Sequence, residues 1–190
     1  MDEIARREFV KGAALGTTLG AFAFTVGGAE VLLTPQQARA QGAAMRVLKP
    51  EEAQTLEAIG ETLAIGARQY GIAHFVDSQL AAPPEEALLT IRVTETRPPY
   101  LTFYRAALTG IERASQAKHQ RAFAALNPAE QRDFVNALRQ GKLESWQGPA
   151  QANVYLTLRN DAIDVVYGTV EGFQRIGTPY MPHITPTRSW

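Results

Sequence analysis

The sequence predicts an all-α fold, an irregular helical domain of about five to seven helices with an extended C-terminal tail. Apolar residues recur at helical spacing in several segments, and prolines and glycines separate these segments. Apolar and polar residues never alternate for longer than four residues, so no long strand is expected. From Thr169 onward, glycines and prolines are too frequent for a regular element: Gly172, Gly177, Pro179, Pro182 and Pro186.

The first helix is predicted over residues 50–65. Pro50 suits a first helical turn, and the acidic pair Glu51-Glu52 suits the positive end of the helix dipole. Further helices are predicted at 73–80, 85–95, 98–117, 127–141 and 148–167. Residues 91–94 alternatively fit a short strand. In the longest helix one apolar face is expected, formed by Leu101, Tyr104, Leu108, Ile111 and Ser115.

Paired arginines open the chain in the pattern of a twin-arginine export signal. The motif residues are Arg6, Arg7, Phe9 and Lys11. An uncharged run, 12–29, follows the motif, and a small-x-small site for signal peptidase is formed by Ala38 and Ala40. Because this pathway carries folded proteins, we expect a periplasmic protein that folds before export.

These features divide the chain into a signal peptide, 1–40, a helical domain, 41–168, and an extended tail, 169–190. The alternative is a signal that is retained as a membrane anchor, because the uncharged run has 18 residues. Five of these are Gly and three are Thr, so the run is only weakly apolar. Cleavage after Ala40 is therefore the preferred expectation.

Composition excludes several classes of function. Residues 41–190 carry fifteen Lys or Arg and fifteen Asp or Glu, so no basic surface for nucleic acid or anionic lipid is expected. The chain has no cysteine, which excludes disulfides, thiol catalysis and iron–sulfur ligation by this chain. No nucleotide-binding glycine motif occurs either, so we expect no cofactor in this chain. We expect no metal, because no third ligand converges on His74 and Asp77.

Two polar pairs carry residue types that are able to act in acid–base chemistry. His74 and Asp77 share a helical face, but no third group converges on them, so a surface pair or a helix-end histidine is favoured over a catalytic base. Asp161 and Asp164 are interpreted in the same way, as solvated or ion-paired groups.

The C-terminal tail carries more large apolar residues than a solvated segment normally does. Either it covers its own helices or it lies on a partner protein. The partner interpretation names as contacts Tyr167, Gly168, Phe173, Ile176, Tyr180, Met181 and Trp190.

The region from Asn160 to Met181 resembles the gluconate 2-dehydrogenase subunit 3 family. The matching residues are the Asp-x-x-Tyr-Gly-x-x-Glu-Gly core, 164–172, and the Gly-x-Pro that follows it, 177–179. The twin-arginine leader and the helix segment Leu56–Leu63 match as well. The same family includes the gamma subunits of bacterial FAD-dependent glucose and fructose dehydrogenases.

The resemblance implies a non-catalytic subunit. It would bind a large FAD-containing dehydrogenase of the glucose–methanol–choline class, assist its maturation like a chaperone and carry it through the twin-arginine pathway. A multihaem cytochrome c subunit would complete the complex and attach it to the inner membrane, so membrane association would arise only through the complex. Two other classes remain open: a free-standing periplasmic ligand-binding helical protein, and a small periplasmic enzyme that uses His74 and Asp77.

Overall fold

A computed structural model describes residues 20–178 and shows a mainly helical protein, as the sequence predicts. Within these residues, one β-hairpin precedes seven α-helices and two short 3-10 helices. The elements are β1 Phe22–Val26, β2 Ala29–Leu33, α1 Pro35–Ala40, α2 Pro50–Leu63, α3 Ile72–Ala81, a 3-10 helix Thr90–Val93, α4 Tyr100–His119, a 3-10 helix Phe123–Ala125, α5 Pro128–Arg139, α6 Gln151–Tyr167 and α7 Val170–Arg175.

The core lies where α2 meets α3, α4, α5 and α6. Each helix turns its apolar stripe inward, and the fully buried side chains include Leu56, Ile59, Phe75, Ile111, Phe134 and Leu158. The rings of Phe123 and Phe134 meet edge to face, with centroids 5.1 Å apart. The apolar face predicted for the longest helix is correct at four of its five positions: Tyr104, Leu108, Ile111 and Ser115 are buried, and Leu101 is partly exposed.

Local sequence signals set the start of α5. The Asn127 side chain accepts hydrogen bonds from the backbone N–H groups of Ala129 and Glu130, and the Glu130 carboxylate accepts one from the Asn127 N–H. Pro128 occupies the first helical position. This reciprocal cap satisfies donors that a helix end leaves free, which is why the boundary follows from sequence alone.

Residues 85–95 do not form the predicted α-helix, and residues 91–94 do not form a strand. The segment holds only the 3-10 helix Thr90–Val93. Side chains from other helices bind its backbone: Gln79 accepts the Leu88 N–H at 2.9 Å, and Asp161 accepts the Thr90 N–H at 3.3 Å. These tertiary bonds replace the local bonds that an α-helix would need.

The N-terminal residues described here belong to the folded domain. The prediction set residues 1–40 apart as a signal peptide, but residues 22–40 form the hairpin and α1, and both pack on α3. A second, small core is built from Phe24, Ala38 and Ala43. Residues 1–19 lie outside the described part of the chain.

The tail prediction is wrong at its start. Thr169 caps α7, because its hydroxyl oxygen accepts the Gly172 N–H at 3.0 Å, and the helix runs to Arg175. Gly172 does not break this helix. It lies in the first turn, where the Thr169 side chain accepts its N–H, and it packs against Val166 and Tyr167 of the preceding helix. Residues 179–190 lie outside the described chain.

Candidate partner surface at the C-terminal helix

Arg175 fixes α7 against the rest of the domain. Its guanidinium carbon lies 4.9 Å from the centroid of the Tyr70 ring and 5.7 Å from that of Tyr167. One guanidinium nitrogen, Nη2, also donates to the Val166 carbonyl oxygen at 2.7 Å. A guanidinium this close to two aromatic rings favours one arrangement of all three side chains, so the contact joins Tyr70 to two residues much later in the chain.

Gly172 permits the close approach of α7 to α6. A Cβ at this position would lie 2.6 Å from both the Tyr167 Cα and the Val166 carbonyl oxygen, closer than real Cβ atoms come. The residue is buried, and its backbone is helical. The requirement for glycine here therefore comes from the packing of one helix on another.

Large apolar side chains stand exposed around this group. Ile176 is 55% exposed and Ile65 is 84% exposed. Ile176 follows Arg175 directly, and Ile65 precedes Gly66, which lies beside the Tyr70 ring. We call the set Ile65, Tyr70, Tyr167, Phe173, Arg175 and Ile176 the α7 surface. Its aromatic, arginine and aliphatic composition is typical of the central residues of protein interfaces.

The N-terminal part of the domain borders the α7 surface. A narrow cleft of about 50 Å³ lies between them, lined by Thr34, Pro35, Gln36, Tyr70, Val165, Thr169 and Glu171. The start of α1 and the start of α7 thus share one edge. A partner that covers α7 would also meet α1.

The structure brings together only part of the predicted interface. Tyr167, Gly168, Phe173 and Ile176 lie at the α6–α7 junction, where Tyr167 and Phe173 are half-buried. Other predicted residues fall outside the described chain: Tyr180, Met181 and Trp190, and the leader residues Arg6, Arg7, Phe9 and Lys11. Sequence reasoning missed Tyr70 and Arg175. Arg175 lies in the segment expected to be irregular. The residues around Tyr70 in sequence give no sign that Tyr70 contacts Arg175.

His74 and Asp77 are a buried structural pair, so the surface-pair alternative is wrong. The helix-end alternative agrees with the structure, because His74 lies in the first turn of α3. The Asp77 carboxylate accepts three backbone N–H groups, from Arg46 at 2.7 Å, Val47 at 2.9 Å and Leu48 at 2.8 Å. His74 Nε2 bonds the Ala43 carbonyl oxygen at 3.2 Å, and burial lowers the pKa of His74 from 6.5. Both side chains hold the loop before α2 rather than facing a cleft.

Asp161 is fully buried, so its interpretation as a solvated or ion-paired group is wrong as well. Its carboxylate accepts the Tyr104 hydroxyl at 2.5 Å and the Thr90 N–H at 3.3 Å. Burial raises the pKa of Asp161 to about 7, although both hydrogen bonds oppose this shift, and burial raises the pKa of Tyr104 well above 10. Asp164 is also partly buried, which raises its pKa. Asp161 connects α6, α4 and the 3-10 helix at residues 90–93.

Within residues 20–178, no group of three or more His, Asp or Glu side chains is placed to hold a metal ion. None of the helices in that range combines the length and hydropathy that crossing a bilayer requires.

Comparison with known proteins identifies a family. A family model described as Gluconate 2-dehydrogenase subunit 3 matches residues 50–183, which is more than half of the chain. No curated protein and no solved structure shows significant similarity to the chain. The match includes α2 through α7, and so both helices that build the α7 surface.

Proposed function

Because the chain belongs to the gluconate 2-dehydrogenase subunit 3 family, we propose that it is the non-catalytic small subunit of a dehydrogenase complex and binds the catalytic subunit through the α7 surface. A dehydrogenase subunit has a catalytic partner by definition. The finer part of the proposal is that the partner is an FAD-containing dehydrogenase of the glucose–methanol–choline class, which this chain helps to mature and exports with itself.

The exposed apolar residues of the α7 surface carry this proposal. Ile176 follows Arg175 in sequence, and Ile65 precedes Gly66, which lies beside the Tyr70 ring. Exposed aliphatic groups near an arginine that contacts aromatic rings supply the anchors of a specific interface. The contact of Arg175 with Tyr70 and Tyr167 is formed before binding, so little side-chain entropy is lost when a partner covers it.

An enzyme built on His74 and Asp77 finds little support. Three backbone N–H groups already use the Asp77 carboxylate, and a lowered pKa together with burial leaves His74 neutral and enclosed. General acid–base catalysis needs groups within hydrogen-bonding reach of a substrate. The pair fits a role in folding instead.

A free-standing ligand-binding protein is the second candidate, and one groove favours it. The groove encloses about 490 Å³ and is lined by Thr94, Glu95, Thr96, Phe103, Asn153, Leu156 and Thr157. The volume of the groove is within the range of small-molecule sites. The groove is open to solvent and its lining is mostly polar, whereas ligand pockets usually enclose the ligand in apolar side chains. A free-standing binding protein would be purified without a partner, so a chain that elutes only together with a dehydrogenase would argue against this candidate.

The leader supports the proposed export to the periplasm. Arg6 and Arg7 stand in the twin-arginine pattern, and a chain without cysteine completes its folding in the reducing cytoplasm. The partner would supply the FAD, and a multihaem cytochrome c subunit would attach the complex to the inner membrane. This chain itself would hold no cofactor.

Export of the partner tests the proposal. Replacing Arg6→Lys together with Arg7→Lys is expected to leave both this chain and the dehydrogenase in the cytoplasm, because one leader would serve both. The readout is dehydrogenase activity and immunoblot signal in the periplasmic and cytoplasmic fractions. As the matched control, Arg132→Lys with Arg139→Lys makes the same change at two exposed positions of α5, outside the motif, and should leave export intact. A dehydrogenase that still reached the periplasm in the first variant would contradict the carrier role.

A further inference from the structure

The β-hairpin is an integrated part of the domain. β1 and β2 pair antiparallel with Phe22 opposite Leu33. The Phe22 ring lies 6.1 Å from the Phe75 ring, and the Phe24 ring lies 6.1 Å from the His74 ring. Phe24 is 1% exposed. The hairpin therefore covers the face of α3 that carries Phe75 and His74.

Helix α1 continues this contact through the predicted cleavage site. The Thr34 side chain accepts the Gln37 N–H, the Gln37 side chain accepts the Thr34 N–H, and Pro35 begins the helix. The Pro35 carbonyl oxygen touches Gly71, where a Cβ would collide with it. Ala38, the first residue of the small-x-small site, is 0% exposed.

The chain on both sides of Ala40 is held in place. Upstream, Arg39 pairs with Glu57 of α2 at 3.1 Å. Downstream, the Ala44 N–H donates to the Thr25 carbonyl oxygen at 3.0 Å, so it joins the hairpin as a third, short edge. A cut after Ala40 would remove β1, β2 and α1, leave Ala44 without this bond and uncover Phe75 and His74.

We propose that residues Phe22–Ala44 remain part of the folded domain after export, and that the chain is not cut after Ala40. This inference rests on the proposed export of a folded protein. Proteases need an exposed and flexible segment, whereas a twin-arginine cargo meets signal peptidase with its fold complete. A buried Ala38 within a capped helix withholds the site from the enzyme.

The length of the leader agrees with this assignment. Between Lys11 and the hairpin, the uncharged residues are 12–21, which are ten. An apolar segment of about 7 to 15 residues is normal for a signal peptide. As a helix, ten residues span about 15 Å, half the hydrocarbon thickness of about 30 Å. The leader is long enough to address the export machinery and too short to span the bilayer while the hairpin stays folded.

The N-terminus of the exported protein tests the proposal directly. The protein is isolated from the periplasmic or membrane fraction with its natural partner, and its intact mass and N-terminal peptide are measured. We expect an N-terminus at or before Phe22. An exported pool that begins at Gln41 would overturn the inference.

Two variants separate a processing site from a packing site. Ala40 is exposed and Ala38 is buried, yet signal peptidase would need a small residue at both positions. Ala40→Lys should therefore change neither the size of the exported protein, apart from the substituted residue, nor its Tm. Ala38→Lys should lower the Tm and the yield. If Ala40→Lys instead made a longer exported form accumulate, the chain is normally cut there.

The Tm of two N-terminal deletions tests the inference even if the protein is not exported. A protein that lacks residues 2–40 should have a Tm lower by more than about 5 °C than a protein that lacks residues 2–19. Equal Tm values for the two deletions would show that the hairpin and α1 are dispensable. If the full chain never leaves the cytoplasm, the proposed export is wrong, and the two Tm values still decide whether residues 22–40 belong to the domain.

Discussion

At the residue scale, Asp161 is the most unusual group of the described chain. A fully buried carboxylate is normally ion-paired, but the groups that act on Asp161 are the Tyr104 hydroxyl, the backbone and side chain of Thr90, and the like charge of Asp164. None of the hydrogen-bond donors carries a positive charge. The protein therefore favours the protonated form of this side chain, and charging it costs folding free energy.

Asp161 should make the stability of the protein fall as the pH rises. The pKa of Asp161 is about 7 in the folded state against an ordinary 3.8, so its stabilising contribution is complete below pH 4 and is lost as the pH rises through about 7. The loss is at most roughly 1.4 kcal/mol for each unit of pKa shift. Urea unfolding between pH 4 and 8 measures it.

The neutral variant Asp161→Asn should flatten this profile, because the amide does not titrate. Asp133→Asn is the matched control, since Asp133 is exposed on α5 and its replacement should leave the profile unchanged. A wild-type profile that equals the Asp161→Asn profile across this range would show that Asp161 does not titrate there.

At the element scale, the inward stripe of α4 sets the position of the longest helix. Leu108 is 2% exposed at its centre. Leu108→Ala should lower the free energy of unfolding by roughly 2–5 kcal/mol, because the change removes buried methyl groups and leaves a cavity. Thr109→Ala is the control on the exposed side of the same helix and should change stability by less than about 0.5 kcal/mol. A near-neutral Leu108→Ala would place this side of α4 outside the core.

At the scale of the whole molecule, α7 and the residues beyond it are expected to hold the partner subunit. Deleting residues 179–190 keeps α7 intact and should leave the helicity unchanged while reducing the yield of co-purified dehydrogenase. Circular dichroism and pull-down yield are measured on the same truncated protein. A lower pull-down yield reports a lost contact with the dehydrogenase only if the circular dichroism shows that the helices are still folded. Unchanged binding would place the interface entirely on the described helices.

Arg175→Ala complements this deletion within the described chain. It removes the cation between Tyr70 and Tyr167 and the hydrogen bond to Val166, so the α7 surface loses its order. We expect weaker binding of the dehydrogenase with little change in helicity. Arg159→Ala, an exposed arginine on α6, is the matched control and should bind as the unchanged protein does.

The sequence by itself determined those features that depend on neighbours along the chain. Asn127, Pro128 and Glu130 set the start of α5 because a helix cap is made of residues within three positions of each other. Apolar spacing predicted the helices at α2, α3 and α6 for the same reason, since a helical face is a local repeat. The motif at residues 160–181 indicated the family, which the match over residues 50–183 confirms.

Only the tertiary structure decided what depends on groups far apart in sequence. Asp161 is polar by type, and its burial follows from Tyr104 and Thr90, which lie 57 and 71 residues away. Arg175 meets Tyr70 across an even longer stretch of the chain, so no local pattern marks the α7 surface. The hairpin shows the same limit: residues 22–29 lie in the uncharged run expected of a leader, and their contacts with α3, including the one with Phe75, make them part of the domain. Composition shows that a segment has apolar side chains that could be buried. Whether they are buried depends on which other parts of the folded chain pack against them.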